Sequence, residues 1–311
     1  MLKIDKPIRS WILDNLGRGC TLDSMVDSLA ASGHPRAYAQ AAVAQVVAEQ
    51  SVIGAPAGTG PWQTADSLSA QVAQASVQIE AAQLAAARAA HRPVAVPEPI
   101  PNGSPAFIET NDRKVAVLTH LVAPRVIVFG GVFSDAECDE LVEMSRVKVE
   151  RSLVVNPTTG TSTAHAERTS EGTFFYVNEN PLVARLDRRI GELLRWPVER
   201  GEGLQILHYT KGGEYRPHFD YFDPAVSGSA AHIAKGGNRV ATLVVYLATA
   251  DEGGATIFPD IGFSVAPIKG NAVFFSYDIP APASLTLHGG APVERGEKWI
   301  ATKWLRAGPY R

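Results

Sequence analysis

Apolar and polar positions alternate with a period of two after Trp196, in short runs separated by turns rich in glycine, proline and asparagine. Such alternation is typical of half-buried β-strands. Ahead of them, the pattern predicts a strand over 125–129, a helix capped by Ser134 and Glu137, and a second helix that begins at Asn180 and Pro181. Two helices followed by many short strands favour a β-sandwich or jelly roll with helical support. The later predicted strands are 204–209, 215–221, 239–247, 255–258, 271–277 and 298–305.

The N-terminal part of the chain has a different period. Up to about residue 55, apolar residues recur at helical spacing, and Pro7, Thr21 and Pro35 each stand where a short helix would begin. The pattern therefore predicts a small helical region over 1–55.

The segment 56–106 separates the helical region from the strand-rich region. Alanine and glutamine dominate 67–90, where the apolar stripe is too sparse for more than a marginal or partner-dependent helix. The five prolines of 93–105 indicate an extended linker. We therefore divide the chain into 1–55, 56–106 and 107–311.

Composition narrows the function classes. The chain has 311 residues, of which 45% are hydrophobic and 20% charged, so it can bury a large core. A net charge of −3 without a basic block gives no reason to expect a nucleic-acid partner, and two cysteines exclude a cysteine-based zinc site. The first ten residues lack the apolar core of a signal peptide, and the longest apolar run, 240–248, is too short for a membrane span. We expect a cytoplasmic protein without a membrane partner.

His218 and Asp220 are the first candidate chemical groups. They lie two residues apart in RPHFDYF, so on a strand both side chains would project from one face. His288 stands at the end of a later strand-like run, LTLHGGAPV. Two histidines and one carboxylate form the facial triad of non-haem Fe(II) oxygenases. Taken separately, however, an exposed His-Asp pair on a surface strand and a structural His288 are the simpler interpretations.

Lys298 favours the metal triad over these simpler interpretations. It shares one face of the predicted strand 298–305 with Ile300, Thr302 and Trp304. If that face points inward, the Lys298 ammonium lies at the mouth of an apolar cavity and needs an anion. The carboxylate of a keto acid that chelates a metal would supply one. The alternative is a lysine at a strand end that reaches solvent.

These candidate residues lie in stretches that resemble a known enzyme family. The segment 124–306, about the last three-fifths of the chain, resembles the catalytic domain of the prolyl 4-hydroxylase branch of the 2-oxoglutarate- and Fe(II)-dependent dioxygenases. The matching stretches, which recur together in order, are FSDAECDELVEMS, ERTSEGTFF, LQILHYTKGGEYRPHFDYF, GGNRVATLVVYL, EGGATIFPDIGFSVAPIKGNAVFF and LHGGAPVERGEKWIATKWL.

The resemblance implies an α+β fold, a double-stranded β-helix (jelly roll) with supporting helices after the small α-helical N-terminal region. It implies Fe(II) as cofactor, 2-oxoglutarate and O₂ as co-substrates, and ascorbate as an accessory reductant. The reaction would convert 2-oxoglutarate into succinate and CO₂ while an unactivated C–H bond is hydroxylated. Asp220 favours hydroxylation over halogenation, because related halogenases lack this carboxylate.

The resemblance also implies roles for single residues. By the family pattern, Fe(II) is bound by His218, Asp220 and His288, and the distal carboxylate of 2-oxoglutarate is bound by Lys298. Tyr215 and Thr242 would assist the co-substrate, and Trp304 would form a wall of the site. On a regular strand Tyr215 would face away from His218, so this role requires a bend near Pro217.

Weaker candidates surround this set. Arg168 matches a family segment beside the peptide groove and could contact substrate, or be an ordinary surface arginine. Tyr209 could line the pocket or belong to the core. The polar loop 156–166 has the composition of a lid, and equally that of an ordinary loop.

The leading functional hypothesis is prolyl 4-hydroxylation of a proline-containing peptide or protein. One alternative keeps the iron chemistry but changes the substrate to a free amino acid or a natural-product peptide. The other is a non-catalytic module for peptide binding or sensing. Related enzymes that repair nucleic acids usually offer an arginine to the keto acid and a basic surface, and this chain has Lys298 and a negative net charge instead.

Overall fold

The computed structural model of the protein describes most of the chain outside the segment 52–80 and parts of 152–169. The described residues are 4–18, 20–51, 81–151, 154–155, 162–163 and 170–310.

Its α-helices lie in two groups, before residue 90 and after residue 134. They are α1 (Lys6–Gly17), α2 (Leu22–Ala31), α3 (Arg36–Ser51), α4 (81–89), α5 (Asp135–Arg146), α6 (Pro181–Leu194) and α7 (Ala230–Ile233). No helix within the described ranges is long and apolar enough to span a membrane.

The strands begin at residue 107. They are β1 (Phe107–Glu109), β2 (Lys114–Leu121), β3 (Val126–Gly130), β4 (Glu150–Arg151), β5 (Val154–Val155), β6 (Ser162–Thr163), β7 (Glu171–Phe175), β8 (Leu204–Tyr209), β9 (Tyr215–His218), β10 (Arg239–Ala248), β11 (Glu252–Gly253), β12 (Thr256–Phe258), β13 (Phe263–Val265), β14 (Ala272–Ser276), β15 (His288–Gly290), β16 (Val293–Arg295) and β17 (Lys298–Arg306).

The chain divides into two compact units, Met1–Ala90 and His91–Arg311. In the first unit, the Thr21 side chain accepts a hydrogen bond from the backbone N–H of Ser24 and so caps α2. Helices α1, α2 and α3 enclose a core of their own, in which Ile12, Met25 and Val43 are fully or almost fully buried.

The Pro-rich segment lies in the second unit, since the division falls just before it. The backbone N–H of Val94 donates to the carbonyl of Asp278, and Arg125 donates to the carbonyl of Pro97. These bonds hold the segment predicted as a linker against the strand-rich unit.

The second unit is built on a large antiparallel sheet. Among the described residues it has nine strands in the order β1-β2-β3-β14-β10-β17-β8-β7-β4. A four-stranded sheet, β13-β12-β15-β9, contributes the second layer. Sheet-on-sheet packing with helices against the outer face is the predicted jelly roll with helical support.

Alternation along β10 divides the core into two layers. Leu243 and Val245 pack with the apolar faces of α5 and α6, whereas Val244 and Tyr246 pack between the two sheets with Phe258 of β12. A strand buried on both faces reads as a continuous apolar run, which explains why 240–248 is the longest one in the chain.

Most predicted elements are confirmed to within a few residues. Ser134 and Glu137 form the predicted capping box of α5, and the Asn180 side chain caps α6. The predicted strand 215–221 is shorter than expected, because β9 ends at His218. The strand at His288 begins there instead of ending there, since β15 covers His288–Gly290. The strand β1 has no counterpart among the predicted strands, since three residues carry too little periodicity to be recognised.

Candidate active site

A cavity opens between the two sheets of the second unit. Its walls include the predicted face of β17, namely Lys298, Ile300, Thr302 and Trp304, so this face does point inward. His218, Asp220 and His288 line the same cavity. Sheet pairing brings these distant parts of the chain together, because β9 and β15 are neighbours and His218 pairs directly with His288.

The three side chains converge on one point. Asp220 Oδ1 lies 3.6 Å from His218 Nε2, and Asp220 Oδ2 lies 3.5 Å from His288 Nε2. One ligand atom from each residue lies within 4.8 Å of the other two. Bonds of about 2.1 Å to one ion separate two ligand atoms by about 3 to 4 Å. The spacing therefore fits a single divalent ion.

Backbone carbonyls orient both imidazoles. His218 Nδ1 lies 2.9 Å from the carbonyl of Arg216, and His288 Nδ1 lies 3.0 Å from that of Thr286. A carbonyl only accepts hydrogen bonds, so each Nδ1 carries the proton and each Nε2 presents a lone pair to the common point. This arrangement is typical of metal-binding histidines.

The electrostatics of the site agree with that assignment. Burial raises the pKa of Asp220, but the neighbouring His288 and His218 imidazoles and the Arg239 guanidinium outweigh it, so the pKa lies well below its usual value and the group is a carboxylate. Burial lowers the pKa of His288 to about 4, so its imidazole is neutral at neutral pH. A carboxylate and neutral imidazoles are the protonation states that bind a metal ion.

Lys298 is a buried ammonium on the cavity wall. Its exposed fraction is 3%, and burial lowers its pKa to about 8. Within the part of the chain that the structure describes, Lys298 forms no ion pair. Its Nζ lies 5.5 Å from the centre of the Tyr209 ring. A cation held this way suits an anionic ligand in the cavity.

Tyr215 lies beside His218, so the bend near Pro217 that its predicted role requires is present. The ring centroids are 3.7 Å apart, and both residues line the cavity. Pairing between β9 and β15 shifts register here, since His288 faces His218 while Gly290 faces Tyr215. Three residue steps on β9 oppose two on β15, and this bulge turns Tyr215 toward the cavity.

The other candidate residues are divided. Tyr209 and Trp304 both line the cavity. Thr242 is fully buried but is not among the lining residues; its hydroxyl donates to Asp220 Oδ2 at 2.7 Å. Arg168 lies outside the described residues, as does the loop 156–166 apart from β6.

Two residues of the site were not predicted from the sequence. Thr256 of β12 lines the cavity and accepts a hydrogen bond from Tyr246 at 2.9 Å. Arg239 donates to the backbone carbonyl of Asp220 at 3.4 Å and lies 3.8 Å from the centre of the Trp304 ring. Both stand inside the stretches EGGATIFPDIGFSVAPIKGNAVFF and GGNRVATLVVYL, which could have pointed to them.

Comparison with known proteins gives this geometry a family. Residues 204–306, which contain all three candidate ligands and Lys298, match the family model of the 2OG-Fe(II) oxygenase superfamily. The chain is 37% identical over 210 residues to Prolyl 4-hydroxylase 2 of Arabidopsis thaliana, covering 60% of this chain and 69% of that protein. The chain belongs to the prolyl 4-hydroxylase family.

Two further relatives extend the comparison. Probable prolyl 4-hydroxylase 10 of Arabidopsis thaliana is 36% identical over 223 residues, covering 65% of this chain and 74% of that protein. A viral collagen prolyl hydroxylase from Paramecium bursaria Chlorella virus-1, solved with 2OG, is 30% identical; the match covers 58% of this chain and 95% of that one, with a TM-score of 0.45.

Membership in this family makes the chain a 2-oxoglutarate- and Fe(II)-dependent dioxygenase. Its cofactor is Fe(II), and its co-substrates are 2-oxoglutarate and O₂. The donor set described above fits Fe(II), because two imidazoles and one carboxylate leave metal positions open.

The lowered pKa of Lys298 predicts that 2-oxoglutarate binding weakens in mild alkali. Below pH 8 the ligand-free side chain is a cation that attracts the dicarboxylate, and above pH 8 it must first take up a proton. We expect the Kd of 2-oxoglutarate, measured by calorimetry, to rise about tenfold between pH 7 and pH 9.

Lys298→Arg is the control for this titration. A guanidinium stays charged at both pH values, so the Kd of this variant, whatever its value at pH 7, should change little by pH 9. A wild-type Kd that also stays constant over this range would contradict the prediction.

Proposed function

We propose that this protein hydroxylates prolyl residues at C4 in a peptide or protein. The observation that carries the proposal is one cavity in which His218, Asp220 and His288 converge at one point and the buried Lys298 ammonium lies on the wall. The family provides the substrate class, since its named relatives are prolyl 4-hydroxylases.

In this proposal His218, Asp220 and His288 hold Fe(II), which supplies oxidative chemistry that no amino-acid side chain can perform. Asp220 contributes a negative charge to the ligand set, and the carbonyls behind the imidazoles keep both Nε2 atoms aimed at the ion. The side chains therefore provide a preformed ligand set.

Lys298 would bind the distal carboxylate of 2-oxoglutarate. The Thr256 hydroxyl supports this site, because it accepts from Tyr246 and so has its own proton free to donate into the cavity. Tyr209, whose ring lies near Nζ, and Tyr215 complete the walls around the co-substrate. Such enclosure excludes water from the reacting groups.

A peptide substrate is supported by the sheet face beside the cavity. Phe174 of β7 pairs in register with Gln205, and Gln205 pairs with Thr302; the last two line the cavity. Directly opposed residues project from the same face of a sheet, so Phe174, 49% exposed, extends that face toward the sheet edge. Exposed aromatic rings of this kind suit proline-rich peptides in extended conformation.

The test supplies Fe(II), 2-oxoglutarate and air with a proline-rich peptide, and with the same peptide in which alanine replaces every proline. We expect the proline peptide alone to gain the mass of one oxygen atom per modified residue, and amino-acid analysis to identify 4-hydroxyproline. Succinate should form in proportion to the hydroxylated product.

Three outcomes would contradict the proposal. Oxygen gain on the alanine peptide would place the reaction on another side chain. Turnover of free proline without turnover of the peptide would make the substrate a free amino acid. Absence of succinate formation together with absence of 2-oxoglutarate binding would indicate a non-catalytic module.

A further inference from the structure

A chain of two buried hydroxyl groups ends at the Asp220 carboxylate. Thr242 Oγ1 donates to Asp220 Oδ2 at 2.7 Å, and Tyr277 Oη lies 3.0 Å from Thr242 Oγ1. Thr242 is fully buried and Tyr277 is 2% exposed. Neither residue lines the cavity, so neither is placed there to contact substrate.

The direction of these two hydrogen bonds follows from the protons available. Asp220 is a carboxylate and can only accept, so the single Thr242 proton goes to Asp220 Oδ2. Thr242 then has only lone pairs to offer Tyr277, and Tyr277 must donate to it. Burial and the Asp220 charge raise the pKa of Tyr277 well above its usual value, which keeps that proton in place.

Both hydroxyl groups are carried by the central strands of the large sheet. Thr242 of β10 pairs with Phe275 of β14 on one side and with Trp304 of β17 on the other. Tyr277 follows β14 directly, and its backbone N–H donates to the carbonyl of Val240 at 2.9 Å. The hydroxyl chain is therefore anchored in a rigid part of the fold.

Asp220 itself lies beyond the end of β9 and lacks that anchoring by strand pairing. A carboxylate attached through one methylene group can rotate, and rotation would carry its oxygens away from the point at which His218 and His288 converge. The bond from Thr242 fixes Oδ2 and thereby directs Oδ1 toward His218 Nε2, 3.6 Å away.

We propose that Tyr277 and Thr242 are positioning residues of the metal site, which hold the Asp220 carboxylate in its metal-binding orientation through the donor sequence Tyr277 to Thr242 to Asp220. This inference rests on the proposed function, since it assumes that Asp220 is a metal ligand. It also gives Thr242 a role on the metal side of the site in place of the predicted contact with the co-substrate.

The test measures metal binding directly, without turnover. Co(II) is titrated into the metal-free full-length protein, and its visible absorption reports both affinity and coordination. We expect Thr242→Val, which keeps the side-chain shape but removes the donor, to weaken Co(II) binding by about 10- to 100-fold and to change the absorption band. Tyr277→Phe should weaken binding by about threefold or more, because Thr242 loses the donor that polarises it.

Two variants separate positioning from general loss of structure. Thr242→Ser restores a hydroxyl and should recover most of the affinity and the wild-type spectrum. Tyr246→Phe removes an equally buried phenol hydroxyl, but that hydroxyl bonds Thr256 rather than Thr242, so Co(II) affinity should not change.

The inference would be overturned if Thr242→Val or Tyr277→Phe bound Co(II) with wild-type affinity and spectrum, or if Tyr246→Phe lowered affinity as much as Tyr277→Phe. Should Thr242→Val fail to fold, Tyr277→Phe against Tyr246→Phe still decides. If the wild-type protein bound no Co(II), the proposed function itself would fail, and that result is distinct from the others.

Discussion

His288→Ala is expected to abolish both metal binding and succinate formation. His288 is buried beside Asp220, its Nδ1 is fixed by the Thr286 carbonyl, and its Nε2 is one of three converging donors. Because loss of an outer-shell partner alone costs about 10- to 100-fold in affinity, removal of a ligand should cost at least about 1000-fold. Co(II) titration and succinate release in the presence of Fe(II) measure the two effects.

His208→Ala is the matched control. His208 stands on β8 of the large sheet, where it stacks on Trp299 and lies 2.8 Å from Glu297, outside the cavity lining. Its removal should leave the Co(II) Kd unchanged. If both histidine variants lost metal, or if His288→Ala retained wild-type affinity, the metal site would not be where the geometry places it.

Lys298→Met is expected to change stability and co-substrate affinity in opposite directions. Loss of the charged partner of a buried carboxylate costs about 2–5 kcal/mol, so the Kd of 2-oxoglutarate should rise at least about 30-fold. In the ligand-free protein, the same substitution removes a buried cation that has no counter-ion in the described part of the chain. We therefore expect the free energy of unfolding to increase by about 1–3 kcal/mol, measured by denaturant titration.

Lys303→Met is the control on the same strand. Lys303 is also buried, but it faces the opposite side of β17 and pairs with Asp187 at 2.6 Å. Its loss leaves a buried carboxylate without a cation, which should cost about 3–5 kcal/mol of stability, while 2-oxoglutarate affinity should stay near the wild-type value. Equal effects of the two substitutions on stability would show that Lys298 has a counter-ion.

The positions of helices and strands were predictable from features that are local in sequence. Ser134 with Glu137 marks the start of α5, and period-two alternation marks β8 and β17, because caps and strand faces depend on residues a few positions apart. The family resemblance, confirmed by the comparisons, supplied the jelly roll and the iron chemistry. Cytoplasmic location and the use of ascorbate stay predictions.

The contacts of Thr242 are an example of what local sequence patterns do not predict. The alternation of β10 correctly gives Thr242 as a strand residue, but two other segments of the chain decide what its hydroxyl contacts. The structure places it against Asp220 and Tyr277, and places Thr256 of another strand on the cavity wall. Neither contact joins residues close in sequence, so no local pattern encodes either one.

The sequence by itself predicted which residues carry the chemistry, because the family motifs that contain His218, Asp220, His288 and Lys298 can be recognised without a structure. Only the tertiary structure decided that His288 lies opposite His218, that Tyr215 turns inward at a bulge, and that Lys298 is buried with no acidic partner among the residues described. The physical reason is that these properties depend on pairing and packing between strands far apart along the chain, which fix distance and burial only when the whole sheet has formed.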